Sequence, residues 1–141
     1  MTPVINYLAV LVAAIASIVI GFVWYGPLFG KPWMKIMGMS KESMDKTKQK
    51  EMMKSYLLMT IGSLVTAYVL AHTTEFAMAY TRTYGVTGGL MSGFWTWLGF
   101  MAPLHMHDQL WGGKPWKLFM ITAGYSLVNM LVMGMILATW R

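Results

Sequence analysis

Four stretches of this 141-residue chain are almost free of charge, and no other feature restricts its fold so tightly. They cover residues 4–29, 55–74, 86–104 and 118–140. A hydrocarbon core of ~30 Å needs roughly 20 helical residues to cross it, and each stretch is about that long. Backbone groups in lipid must be satisfied without water, which leaves helices and closed barrels. Barrel strands alternate apolar and polar residues, and the run Val10-Leu11-Val12-Ala13-Ala14-Ile15-Ala16 does not. The sequence therefore predicts an all-α membrane protein with four transmembrane helices, at about 4–29, 55–74, 86–108 and 118–140. These form a single domain over 1–141, with a basic connection at 30–54.

Only 11% of residues are charged, against about 25% in a soluble domain. The absence of cysteine excludes a disulfide scaffold, a thiolate zinc site, an iron–sulfur cluster and thiol catalysis. Ala14-Ile15-Ala16 resembles a signal-peptidase site, but no basic residue precedes it and the apolar run continues past Ser17, so no cleavage is expected. The first connection holds Lys31, Lys35, Lys41, Lys46, Lys48, Lys50 and Lys54, and the third holds Lys114 and Lys117. The second holds only Arg82, and Arg141 follows the last stretch. The positive-inside bias then predicts a multi-pass protein of the bacterial inner membrane, with loops 30–54 and 105–117 cytoplasmic and both termini outside. Topology accounts for the net charge of +6, and nucleic acid is not an expected partner.

Trp33, Met34, Ile36 and Met37 follow a proline and alternate with lysines, the pattern of a short helix in the headgroup zone. Ser40 is a candidate cap for a helix beginning at Lys41 that runs on into the second span. The two halves of the chain also resemble each other. Gly21-Phe22, Pro27-Leu28 and Gly30-Lys31-Pro32-Trp33 are echoed by Gly99-Phe100, Pro103-Leu104 and Gly113-Lys114-Pro115-Trp116. This predicts two tandem hairpins of the same orientation, the parallel kind of repeat. In each tetrad Pro breaks a helix, Lys reaches toward phosphate and Trp anchors at the interface.

Small residues recur every fourth position: Ala9, Ala13, Ser17 and Gly21, then Gly85, Gly89 and Gly93. Ser63, Ala67 and Ala71, and Gly134 with Ala138, continue the theme. Such stripes let helices approach closely in lipid, and their number predicts a homo-oligomer. Thr122, Tyr125, Ser126 and Asn129 share one face of the last helix, and Thr60, Ser63 and Thr66 lie on the matching face of the second. A mid-membrane Asn must find a partner, so these faces are expected to point inward, either as interhelical glue or as a solute lining. Asn6, near the start of the first span, is a further candidate for glue or lining. His72 with Glu75, and His105 with His107 and Asp108, are polar groups expected at the two membrane surfaces.

No cofactor is expected. A haem held by two His of one chain needs ligands at one depth, whereas His72 is expected near one surface and His105 and His107 near the other. The pairs Met130/Met133 and Met101/Met106 read as apolar filler rather than a copper site. There is no nucleophile elbow, Walker loop or dinucleotide fingerprint, and no carboxylate is expected at mid-membrane for proton pumping.

The chain resembles the bacterial membrane family called domain of unknown function 1761. The matching residues are Asn6-Tyr7-Leu8-Ala9-Val10, Trp24-Tyr25-Gly26-Pro27-Leu28-Phe29-Gly30 with Trp33, Pro115-Trp116-Lys117-Leu118-Phe119, Ala123-Gly124-Tyr125, and Met133-Gly134 with Ile136-Leu137. The resemblance implies a small four-helix membrane protein and carries over no catalytic or binding residue. The favoured expectation is an oligomer that binds or passes a small uncharged or amphiphilic solute. A structural subunit of a larger membrane complex is the first alternative, and an enzyme acting on lipid headgroups through His105 and Asp108 the second. Expected partners are membrane lipids, further copies of the chain and, under the first alternative, other membrane subunits.

Overall fold

The computed structural model describes residues 3–40 and 46–141, with side chains from 48 onward in the second segment. All regular structure among them is helical. Helix α1 is Tyr7–Val23, and a π-helical turn, Trp24–Leu28, prolongs it. Helix α2 is Gly30–Met37, α3 is Lys46–Thr81 and α4 is Gly85–Thr96. A second π turn, Trp97–Met101, joins α4 to α5, Ala102–Gly112, and α6 is Trp116–Thr139. Three helical segments are long and apolar enough to cross a membrane: Tyr7–Leu28, Lys48–Thr81 and Trp116–Thr139.

The two π turns have one cause. Proline inside a helix lacks the donor for the carbonyl four residues back, and its ring crowds that carbonyl. Pro27 sits inside the first turn, and the ladder re-forms one residue wider, with the Phe29 N–H donating to the Trp24 carbonyl at 2.8 Å. Pro103 stands two residues past the end of the second turn, in the first turn of α5. The expected helix over 86–108 is thus two α-helices joined by a π turn. The second span also outruns its expected bounds of 55–74. Nothing in residues 46–54 or 75–81 breaks a helix, so α3 continues for 36 residues, about 54 Å. Past Thr81, Arg82 adopts φ +55° and Tyr84 is extended, which ends the run. The headgroup helix expected in the first connection is α2, closed by Gly38 at φ +69°. The start expected at Lys41 lies outside the described residues.

The two tetrads adopt different local structures. Gly30 to Trp33 open α2, whereas Gly113 (φ +65°) ends α5, Pro115 is extended and Trp116 begins α6.

Helix α6 is the hub of the bundle and packs against α1, α3 and α4. Its contact with α4 is backbone on backbone. A Cβ on Gly89 would overlap the Gly134 carbonyl, and one on Gly93 would overlap the Met130 carbonyl. The interior elsewhere is mostly alanine, with Ala13, Ala67 and Met133 fully buried where α1, α3 and α6 meet. The small-residue stripes are consumed by these contacts: Ala9, Ala13, Ser17, Gly21, Ser63, Ala67, Ala71, Gly89, Gly93, Gly134 and Ala138 are all buried within one chain. Gly85, at the start of α4, is the stripe residue left half-buried. The outside is apolar as well, with Leu57, Val65, Phe100, Leu104 and Met120 more than half exposed. So much exposed apolar surface is what a lipid-facing protein presents.

Replacing Gly89 with Leu should separate α4 from α6 and lower the melting temperature in detergent. The cost expected from overpacking is about 1–3 kcal/mol. Gly62→Leu is the matched control, because a Cβ there meets nothing within 4 Å. Equal melting temperatures for the two variants would refute the backbone contact.

Candidate functional site

The expected polar faces divide according to how each side chain is satisfied. Asn6 caps α1, its Oδ1 accepting from the N–H groups of Leu8 (3.0 Å) and Ala9 (3.2 Å), and it borders a small cavity with Leu137 of α6. Thr60 and Thr66 are only half-buried, and each hydroxyl donates to the carbonyl one turn back on its own helix, Tyr56 at 2.8 Å and Gly62 at 2.9 Å. Thr122 does the same toward Leu118 at 3.0 Å. Tyr125 stands beside Gly21, and its ring meets that of Tyr25 edge-on at 5.2 Å. Ser63, Ser126 and Asn129 are buried.

The structure brings Ser63 and Asn129 to one level of the bundle, together with Ser17. Ala9, Ala71 and Leu137, from α1, α3 and α6, line one small cavity near Glu75 and Arg141. Eight residues along each helix from that cavity stand Ser17, Ser63 and Asn129. The Ser17 hydroxyl reaches the Ser63 oxygen at 3.5 Å. Asn129 is only 7% exposed, and its amide oxygen has no partner among the described residues. Ala13, Ala67 and Met133, fully buried, pack close to this layer along the same helices.

Two tryptophans outside the tetrads, Trp24 and Trp97, make interhelical hydrogen bonds that the sequence analysis does not anticipate. The Trp24 indole N–H donates to the Ile121 carbonyl at 2.9 Å. The Trp97 indole donates to the Ala123 carbonyl and to the Ser126 hydroxyl, both at 3.0 Å. Each tryptophan opens a π turn, and each pins that turn to α6. The shared Trp-x-Gly spacing of Trp24/Gly26 and Trp97/Gly99 was the available signal.

The groups expected at the membrane surfaces do not pair as their spacing suggested. His72 Nδ1 lies 2.9 Å from the Tyr68 carbonyl, with its ring 4.5 Å from that of Tyr68. Glu75 instead takes Arg141 in a two-pronged ion pair, at 2.8 and 2.7 Å. The Arg141 guanidinium also lies 5.5 Å from the centre of the Tyr84 ring. The hydrogen bond to Glu75 raises the pKa of Arg141 above its ordinary value. His107 and Asp108 are exposed, and His105 is half-buried with no partner for its Nε2. Gln109, one turn on, is buried and its Nε2 is likewise unpartnered. Among the described residues no three His, Asp or Glu side chains converge as a metal-ligand set.

A long lateral groove separates α3 from α4. One part, of about 330 Å³, is lined by Val65, Thr66, Val69, Leu70, Thr73 and Thr96, with Met101 and Met130. The next, of about 280 Å³, shares Thr73 and Thr96 and continues past Met91, Ser92 and Trp95 to Thr81. Its hydroxyls are largely satisfied within the protein. Thr66, Thr73 and Thr81 donate to their own helix at 2.9, 2.7 and 2.8 Å, and Ser92 bonds the buried Thr74 at 3.0 Å. A threonine bonded in this way turns its methyl group outward, so the groove is chemically closer to hydrocarbon than its composition suggests.

Because the Asn129 amide oxygen is buried without a partner, Asn129→Leu should raise the melting temperature. The gain corresponds to about 1–3 kcal/mol for removing an unsatisfied polar group. Trp97→Phe should lower it, by roughly 0.6 kcal/mol per interhelical hydrogen bond lost. Thermal unfolding in one detergent checks both signs, and a destabilised Asn129→Leu would show that the amide is engaged. No curated protein and no solved structure is detectably similar to the chain. The family described as Protein of unknown function (DUF1761) matches residues 8–138, in keeping with the Trp-Tyr-Gly-Pro-Leu-Phe-Gly run, and the chain belongs to that family.

Proposed function

We propose that the chain is a four-span membrane protein that holds the hydrocarbon part of an amphiphile in the groove between α3 and α4. The fourth span is α4 with its π turn and the start of α5. Gly89 beside Gly134, Gly93 beside Met130 and Trp97 bonded to Ser126 set this segment antiparallel to α6 over most of its length, which supports that reading. A π turn opened by a bonded tryptophan in each hairpin supports an approximate internal repeat. The lysine distribution supports cytoplasmic loops at 30–54 and 105–117 in a bacterial inner membrane.

The observation that carries the function is the groove, in which the hydroxyls of Thr66, Thr73, Thr81 and Ser92 are satisfied internally and that of Thr96 has no partner among the described residues. A polar solute would find few free donors or acceptors there, whereas an alkyl chain needs none. The filled interior favours binding over passage along the bundle axis. The accessory-subunit alternative uses the same groove as a docking face for another helix, and a homo-oligomer is the special case in which that helix belongs to a second copy.

Native mass spectrometry of the detergent-purified chain tests the proposal. The unaltered protein should carry an adduct of lipid mass. Thr96→Trp, which places an indole where the two parts of the groove meet, should lose at least nine-tenths of it. An adduct unchanged by Thr96→Trp would defeat the proposal. So would an unaltered dimer without lipid that Thr96→Trp dissociates, since the groove would then be a protein interface.

A further inference from the structure

The groove and the charge at its mouth together identify a class of ligand, an inference that rests on the groove reading above. Between Lys54 and Glu75, α3 rises about 32 Å, close to the thickness of a bilayer core. Val65, at the blind end of the groove, lies near the middle of that rise, and Thr81 lies beyond its Glu75 end. The groove therefore matches the depth of one leaflet and opens at the surface where α3 turns into α4.

The charge at that surface is unbalanced. The chain has five acidic residues; Glu42 and Asp45 fall in the lysine-rich sequence 30–54, outside the described residues, and Glu51 and Asp108 lie on the helix ends away from the groove mouth. Glu75 remains, and Arg141 already holds both of its carboxylate oxygens. Arg82 directly follows Thr81 at the groove mouth, and it is exposed and has no ion-pair partner among the described residues. An arginine is well suited to phosphate, because its planar fork of N–H donors matches two oxygens at once.

We propose that Arg82 and the α3/α4 groove form one site for an anionic phospholipid, with the phosphate beside the guanidinium and one acyl chain along the groove. A second helix fits these observations less well. The two parts of the groove share a waist at Thr73 and Thr96, and a protein partner would have to bring its own anion to Arg82 at the membrane surface.

Spin-labelled lipids test this on the full-length chain reconstituted in phosphatidylcholine vesicles. The motionally restricted fraction of a phosphatidylglycerol probe should exceed that of a phosphatidylcholine probe by about fivefold, as expected for one basic residue close to an anionic lipid. The preference should fall with added salt. Arg82→Gln should abolish it, Arg82→Lys should retain most of it, and Thr96→Trp should release both probes. Equal restriction of the two probes in the unaltered protein, with both released by Thr96→Trp, would overturn the anionic site and leave the groove reading intact. A preference that survives Arg82→Gln but disappears in Lys114→Gln/Lys117→Gln would also overturn it, by placing the anion at the other surface. Probes indifferent to Thr96→Trp would remove the groove reading itself.

Discussion

The contact of α4 with α6 at Gly89 and Gly134 governs the rest of the structure. Helices in lipid gain little from hiding apolar side chains, since the tails around them are equally apolar, so association depends on close van der Waals fit. Two glycines facing each other let the backbones touch and bring the largest number of atoms within attractive range. Once α4 is seated there, α6 has its other faces free for α1 and α3. Alanine lines most of those contacts, with Ala9 and Ala13 on α1 and Ala67 and Ala71 on α3. The result is a bundle that uses its small residues internally and turns its large ones outward. That is the reverse of a soluble core, and it is the arrangement hydrocarbon favours.

The prolines create a problem that the tryptophans resolve. A π turn loosens a helix at the point where it should still pack, and both turns fall in or next to segments that run alongside α6. In each, the first residue is a tryptophan whose indole donates to an α6 carbonyl, Ile121 or Ala123. Those carbonyls belong to a helical ladder and retain a lone pair for a second donor. The hydroxyl of Ser126 strengthens one of the pins. Of the polar face of α6, Ser126 is thereby engaged in fastening the bend that follows α4, and the other two acceptors are carbonyls of the helix backbone.

Three of the apolar helices were legible because apolar runs of membrane length have few other uses, and Thr122, Ser126 and Asn129 lie on one helix at spacings of four and three. Other features depended on distance in space rather than in sequence. Glu75 and Arg141 stand 66 positions apart, so spacing alone offered His72 as the nearer partner. The π turns left a visible mark, a proline in each half, but a proline equally well ends a helix, and only the bonded tryptophans distinguish the two outcomes. The small-residue stripes mark packing faces, but a sequence does not show how many of those faces one small bundle buries. Thr60 and Thr66 illustrate the same gap: helical phase placed them beside Ser63, yet their hydroxyls turn back onto α3 instead of lining anything.

The lateral groove follows from the same glycines that hold the bundle together. A helix drawn to backbone contact on one side has limited freedom to close on a neighbour to the other. Gly88, next to Gly89, accepts Met78 of α3 so closely that a Cβ would press on the methionine side chain, and Ser92 reaches the buried Thr74 of α3. These contacts join α3 and α4 near one end. Farther along, Thr96 and Met101 face Thr66, Val69 and Thr73 across open space, because α4 stays with α6 at Gly93 while α3 continues straight beside α1 and α6. The gap widens away from the Gly88 and Ser92 contacts because the glycines that hold α4 to α6 leave α3 no room to follow it, and Thr81 and Arg82 stand where α3 ends.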